Sequence, residues 1–584
     1  MLYATLAWLV FAIAFWIFAP YFNYSPTAFL DPWIPVGYFL NFDDLLSRYG
    51  FPYYVSRIPF ILTGLAFYGV FTPHVANFAL HTFYLWLACL GLYGAAAGPF
   101  GKPAAIIATV AFAFSTYTAT AMAWDYPNGA AIAFLMLGLW LALAPPRGMS
   151  DCVRWIAVGF LWAIAGTNNL LALLVILPCC LMVLYLAEFS VAESARRTGL
   201  ILSGVGLMLV SFGIVSKWLF GTVVFLRPQI ELIIYATTTP DYLSNMWGKG
   251  HDWIFTAYRN AALLGICGAA LVILATTARN KTDKVEYRTA TAVIGLFVLS
   301  LCAFAVVEFV LQGVVLRVPY TSVYLVAPAY LALAAALSLL MQQWPARARS
   351  VFVAIGVTIL VAIPFAVTPI LAWAQRFPWS PWLLQAAPIL LVPTAFFLPA
   401  GGFRRSVLIL AAAALIALPA LAATADGRLH WVFRNSEPTF DAALEVSNVL
   451  RSGVAKNRTV RFWFDMGEPH SAKFLSIGSL YLAEWQGLRN LPKWSDQEVR
   501  NNLPDNALLV HLTSEPSKLD AREAQLAKDG IRFGPRRTIP IRASGDTEFF
   551  LILQNIHGHS SPAPTENLMG KRQPDGAPIL DSVK

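Results

Sequence analysis

Long apolar runs separated by short polar breaks dominate the first 424 residues. A bilayer's hydrocarbon core, about 30 Å thick, is crossed by about 20 apolar residues of helix. On that measure the pattern predicts about thirteen membrane spans. They lie near 2–20, 76–97, 104–121, 129–145, 154–167, 170–188, 200–220, 259–277, 291–311, 322–341, 351–371, 383–399 and 406–424. The fifth and sixth share the tight turn Gly166-Thr167-Asn168-Asn169. The first run has no basic leader and no A-x-A-like cleavage site, so it is expected as a span rather than a cleaved signal. Ile58 to Thr72 is apolar but short for a crossing, and is expected to lie in the interface or re-enter.

Past residue 425 the period changes. Thr459 to Phe464 alternates like a half-buried strand, Ala507 to Leu512 reads as a buried strand, and Phe549 to Gln554 as another. Glu515 to Asp529 has helical spacing and stops at Gly530. The expected fold class is therefore a membrane all-α domain over 1–424, then a small α/β domain over 425–556. Residues 557–584, rich in Ser, Pro, Gly and Asn, read as a loose tail.

Charge placement orients this scheme. With the N-terminus cytoplasmic, the inner loops hold Lys102, Arg147, Arg154, Arg196, Arg197, the cluster Arg279, Lys281, Lys284 and Arg288, then Arg347, Arg349, Arg404 and Arg405. This is the basic excess that the positive-inside rule requires. Counting Ile58 to Thr72 as a span would invert every later loop, so the bias decides against it. Three substantial segments, 21–75, 221–258 and 425–584, then fall on the outer side of the cell membrane, which becomes the working face.

Composition agrees. Hydrophobic residues make up 58% of the 584 and charged residues 12%, against about 25% charge in a soluble protein. The net charge of +9 is spread over short loops, so it reads as orientation and not as a nucleic-acid surface. None of the six cysteines lies in the C-terminal domain, which excludes a disulfide framework there. There is no P-loop, no Gly-rich dinucleotide turn and no Cys/His metal cluster, so no cofactor is expected, with a divalent cation left open.

Ionisable groups near a membrane are functional candidates. The outer set is Asp31, Asp43, Asp44, Arg48, Arg57, Asp125, Arg227, Glu231, Asp241, Lys249, His251, Asp252, Glu308 and Arg317. Asp31, in Phe29-Leu30-Asp31-Pro32-Trp33, follows the first span closely enough to fold back onto the bilayer surface. Such a carboxylate suits a general base acting on a hydroxyl, and equally a helix N-cap before Pro32. Asp125 sits in a short loop between Trp124 and Tyr126, either as a second acid or between two interface anchors. Arg57, Arg227, Lys249, His251 and Arg317 suit either an anionic group such as a lipid phosphate or simple anchoring.

The stretches Asp31-Pro32-Trp33-Ile34-Pro35-Val36-Gly37-Tyr38 and Trp124-Asp125-Tyr126-Pro127-Asn128-Gly129 bring a family into view. With Ser56-Arg57-Ile58-Pro59 and Gly98-Pro99-Phe100-Gly101 between them, the layout of roughly residues 1–345 resembles the GT-C superfamily of polytopic glycosyltransferases. The branch is that of protein mannosyltransferases and aminoarabinose transferases. The resemblance implies a polyprenyl-phosphate-linked sugar donor and a lipid, glycan or protein acceptor. It also implies inverting transfer at the outer face, with Asp31 as base, Asp125 as the second acid and the cations on the leaving phosphate. Asp31 lacks the neighbouring acid of many relatives, and Asn168-Asn169 stands where relatives often carry a lysine. A multi-pass transporter or lipid flippase is the alternative class, and an assembly scaffold or polysaccharide polymerase a third. Most spans lack central charges, which disfavours a transporter, with Glu308 the main exception.

Overall fold

The computed structural model describes residues 2–18, 33–49, 55–123, 127–221, 223, 227–238, 258–277, 284–311, 313, 315–316, 318–342, 344–377, 380–398, 402–425, 445–446, 448–450, 460–463, 507–513, 515–528, 532–542 and 548–557. The chain packs as two compact units. One comprises 1–23, 56–63 and 72–431, the other 24–55, 64–71 and 432–584.

Each expected span coincides with helix. In chain order the helices are α1 (Leu2–Phe18), α2 (Trp33–Tyr49), α3 (Ile58–Val70), α4 (Pro73–Phe100), α5 (Lys102–Phe114), α6 (Thr116–Ala123), α7 (Asn128–Leu143), α8 (Asp151–Asn168) and α9 (Leu173–Leu186). Then come α10 (Val191–Phe220), α11 (Arg227–Thr238), α12 (Tyr258–Thr277), α13 (Lys284–Ala305), α14 (Val326–Met341), α15 (Ala346–Ala362), α16 (Val367–Arg376), α17 (Ser380–Phe397) and α18 (Gly402–Ala425). Among the described residues six helices are long and apolar enough to cross a membrane, and the pair α5–α6, bent by 61°, makes a seventh if it is one span. The chain is a multi-pass membrane protein.

Two details depart from the run-length reading. The third expected span is broken at Ser115, and the eleventh is divided by a 3-10 turn, Ile363–Ala366. Helix α3 has 13 residues, a rise of about 20 Å, well short of a bilayer core. Gly101, at φ +79°, turns the chain between α4 and α5, a backbone conformation that glycine adopts without steric cost.

Burial separates the centre of the helical unit from its rim. Every residue of α14 is buried. Helix α10 instead exposes Leu202, Leu207, Val210, Ile214 and Trp218, the surface a hydrocarbon solvent accepts. It is held on its other face by close approach to α8. A Cβ at Gly159 would overlap the backbone carbonyl of Ile201, and one at Gly204 that of Ile156. Small residues at such a crossing let the backbones touch, the main source of packing energy between helices in lipid.

Cations at the expected inner end close helix C-termini. Arg154 donates to the carbonyls of Leu141 and Ala142, and Arg288 to those of Tyr185 (2.8 Å) and Leu186 (3.2 Å). These carbonyls end α7 and α9, where the helix dipole favours positive charge. Arg196 joins Asp151 to Glu193, tying the first turns of α8 and α10.

In the second unit, β1 (Val460–Trp463), β2 (Ala507–Thr513), β3 (Arg532–Phe533), β4 (Arg537–Arg542) and β5 (Glu548–His557) form one sheet. β1 runs parallel to β2, and β2 runs antiparallel to β5 over its whole length. The other edge of β5 carries β4 and then β3. Helix α19 (Ser517–Lys528) connects β2 to that far side, so β5 inserts between two strands of like direction. Arg536 anchors α19 through Glu523 and Asp520. The hydrogen bond Arg536 donates to Glu523, then the one it donates to Asp520, raises the Arg536 pKa above its ordinary value. In the same unit the Phe39 ring of α2 lies where a Cβ on Gly64 would stand, 5.2 Å from the Tyr68 ring.

Candidate functional site

The helix ends that share the outer side in the charge-based topology carry most of the buried polar side chains. Among the described residues these ends include the start of α3, α4, α7, α12 and α14 and the finish of α6, α8, α10, α13 and α18. Buried polar groups in a membrane bundle are costly and therefore informative.

Arg57 immediately precedes α3. Its carbonyl accepts from Phe60 N (3.0 Å) and Ile61 N (3.1 Å), which opens the helix, with Pro59 in the first turn where its missing N–H costs nothing. The whole residue is 1% exposed. Phe60 N also donates to Asn168 Oδ1 at 3.1 Å, across 108 residues of sequence. Asn168 is the last residue of α8 and is 0% exposed. Its carboxamide therefore lies at the α3 N-terminus, beside the position of Arg57. Among the described residues its Nδ2 has no hydrogen-bond partner.

Asn169 fixes the next level. Its Oδ1 accepts from Leu171 N (3.0 Å) and its Nδ2 donates to Asn128 Oδ1 (3.2 Å). Asn128, the first residue of α7, also accepts from the Tyr324 hydroxyl at 2.6 Å. The Gln229 side chain of α11 donates to Thr167 O at 2.8 Å, docking that helix on the end of α8. Asn128, Asn168 and Tyr324 are all 0% exposed, so these bonds act in a low-dielectric interior where each is strong.

The segment leading into α14 is fastened in the same way. Residues Val306–Val310 form a π-helical turn after α13. Within it Glu308, 2% exposed, accepts from Val315 N (2.7 Å) and Leu316 N (2.8 Å) through one oxygen, Oε2. Thr321 Oγ1 donates back to Val315 O (2.6 Å), and the Ser322 hydroxyl bonds the Tyr117 hydroxyl of α6. Thr116 of α6 meets Thr424 of α18 at 3.4 Å. A π-helical turn inside a span commonly marks a functional position.

Of the residues to which the family resemblance gives a site role, Arg57 and Arg227 are described. Arg57 is buried at the α3 start. Arg227 is exposed at the start of α11 and paired with Glu231 at 2.8 Å, so the structure does not bring the two together. Asp31, Asp125, Lys249, His251 and Arg317 lie outside the described residues. Asp43, on α2, is exposed. Asn128, Gln229 and Tyr324 were not flagged by the sequence reading. Their signal was available, since each is a polar side chain at the end of an apolar helix on the face already carrying the acids.

The chain matches no protein-family model and no curated protein. It resembles two solved structures of ArnT from Cupriavidus metallidurans. With the form bound to undecaprenyl phosphate it shares 12% sequence identity at a TM-score of 0.47, covering 94% of this chain and 97% of that one. With the apo form it shares 13% identity at the same TM-score and coverage.

Proposed function

We propose that this protein is a membrane glycosyltransferase. It moves a sugar from a polyprenyl-phosphate donor to a hydroxyl of a lipid, glycan or protein at the outer face of the cell membrane, with inversion. The observation that carries the reading is Arg57, a fully buried arginine directly preceding α3, at the end of the bundle that the charge bias assigns to the outer face. A fixed cation and the positive end of a helix present the same sign of potential to one place, and the ligand chemistry they match is a phosphate. A lipid-linked phosphate reaches that depth from the bilayer itself.

The sequence resemblance assigns the chemistry around it. Asp31 takes the proton of the acceptor hydroxyl as its oxygen attacks the anomeric carbon, and the bond from that carbon to the phosphate oxygen breaks. Arg57 meets the charge that builds on the departing polyprenyl phosphate. Asp125 is the second acid near donor or acceptor, and Lys249, His251, Arg227 and Arg317 are the further cations of the outer face. The C-terminal α/β domain lies on the same, extracytoplasmic side.

The test is transfer in membrane vesicles supplied with polyprenyl-linked sugars. Asp31→Asn is expected to abolish transfer at normal expression, and turnover like that of the unaltered protein removes the base assignment. The 61° break between α5 and α6 favours one other class, a transporter, because discontinuous helices line transport sites. Substrate accumulation in the vesicles without sugar transfer decides for that class.

A further inference from the structure

We infer that Asn168 is a ligand of the phosphate, a neutral donor standing beside Arg57 at the N-terminus of α3. The inference deepens the polyprenyl-phosphate reading above and rests on it. The two ends of the Asn168 carboxamide do different work. Oδ1 accepts from Phe60 N, a first-turn amide of α3 that it shares with the Arg57 carbonyl. That bond fixes the plane of the amide and points it at the helix start.

Nδ2 shares that plane and has two N–H bonds. It is fully buried and has no hydrogen-bond partner among the described residues. A buried amide donor left unmade is costly, and in native proteins a water, an ion or a ligand commonly completes it. The donor belongs to the carboxamide that meets the helix N-terminus Arg57 opens, where the field favours a negatively charged acceptor. A phosphate oxygen bound there takes Nδ2–H directly, while the helix amides and the guanidinium supply the field. Asn169, the neighbouring amide, is excluded from this role because its own Nδ2 is committed to Asn128.

The chemistry is that of a phosphate monoester or diester, and two sources supply it, a lipid headgroup or free phosphate. The decisive variant is Asn168→Asp in the full chain. A carboxylate in this place still accepts from Phe60 N, and negative charge at a helix start is favourable, so the structural contact survives. The donor is lost and repulsion replaces it. Binding is measured to nanodiscs carrying undecaprenyl phosphate and, separately, to inorganic phosphate, with melting temperature followed in parallel.

The expected result is an unchanged melting temperature and a loss of undecaprenyl phosphate affinity of at least about tenfold. Arg57→Gln is expected to weaken the same binding. Should Asn168→Asp fail to fold, Asn168→Ala serves, with a loss of about fivefold or more expected. Unaltered affinity in Asn168→Asp, or in Asn168→Ala in that event, while Arg57→Gln weakens binding, overturns the assignment of Asn168 and leaves the wider reading intact. Affinity for inorganic phosphate alone, lost in Asn168→Asp, keeps the ligand assignment and refutes the lipid donor. An unaltered protein that binds neither probe refutes both.

Discussion

Glu308 offers a prediction whose size follows from two hydrogen bonds. Its Oε2 holds the amides of Val315 and Leu316 at 2.7 and 2.8 Å, and those residues are 7% and 1% exposed. Replacing Glu308 with Ala leaves two buried N–H groups unmade. At about 1.5–3 kcal/mol for each bond to a charged acceptor, the return into α14 loses roughly 3–6 kcal/mol of local stability. Glu308→Gln keeps an oxygen able to accept from both amides, and gives up only the charge assistance, about half of each bond. Hydrogen exchange over peptides spanning 311–325 reads this directly. The alanine variant is expected to exchange about 100-fold faster or more at 315 and 316, and the glutamine variant to fall between it and the parent. If the alanine variant exchanges at the parent rate, or glutamine proves as damaging as alanine, the carboxylate is not the fastening and the reasoning fails.

Two further predictions concern other parts of the bundle. Gly204→Ala forces a Cβ into the Ile156 carbonyl and is expected to cost about 1–3 kcal/mol despite alanine's better helix propensity. Thermal unfolding followed by a thiol-reactive dye suits this chain, since Cys89, Cys179 and Cys267 are buried, and an unchanged midpoint would contradict the close α8–α10 crossing. Tyr324→Phe removes the 2.6 Å bond to Asn128 and is expected to cost about 1–2 kcal/mol. Because Asn128 is three residues after Asp125, the proposed transfer rate should fall by a larger factor than the melting point suggests, and a rate held at the parent value separates Tyr324 from the reaction.

The sequence reading succeeded where one signal dominated. Runs of about 20 apolar residues have few alternatives to a membrane helix, so the helices of the first unit fall where hydropathy places them. The strands at Val460–Trp463, Ala507–Thr513 and Glu548–His557 were visible from β-branched and aromatic clustering. β4 was hidden because Pro540 sits inside it, and proline argues against a strand. β5 is its one partner among the described residues, which is how an edge strand accommodates proline. The break at Ser115 was hidden for another reason. Phe114-Ser115-Thr116-Tyr117 contains neither Gly nor Pro, and the bend depends on the hydroxyl contacts of Thr116 and Tyr117 with Thr424 and Ser322, which are distant in sequence. Asn168 was legible as a turn residue, but its exchange with Phe60 was not, since only the fold brings those residues together.

The charge balance around Arg57 and Asn168 separates their kinetic roles. On the proposed chemistry the donor phosphodiester carries one negative charge, and the departing monoester gains most of a second, reaching about −1.5 to −2. Arg57 and the α3 terminus, worth about +1 and +0.5, already attract the donor phosphate and attract it more strongly as its charge grows. A neutral amide adds little to a diester but forms a bond about twice as strong once charge accumulates on the oxygen. Only interactions that strengthen toward the transition state raise the rate of the chemical step. Arg57→Gln is therefore expected to raise KM and lower kcat together. Asn168→Ala is expected to lower kcat by about tenfold with KM for the donor nearly constant. A lysine at position 168 would hold the donor and, more tightly still, the product, slowing release of the lipid phosphate, whereas asparagine responds chiefly as charge develops. If Asn168→Ala acts on KM alone, the amide binds the ground state and this division of labour is wrong.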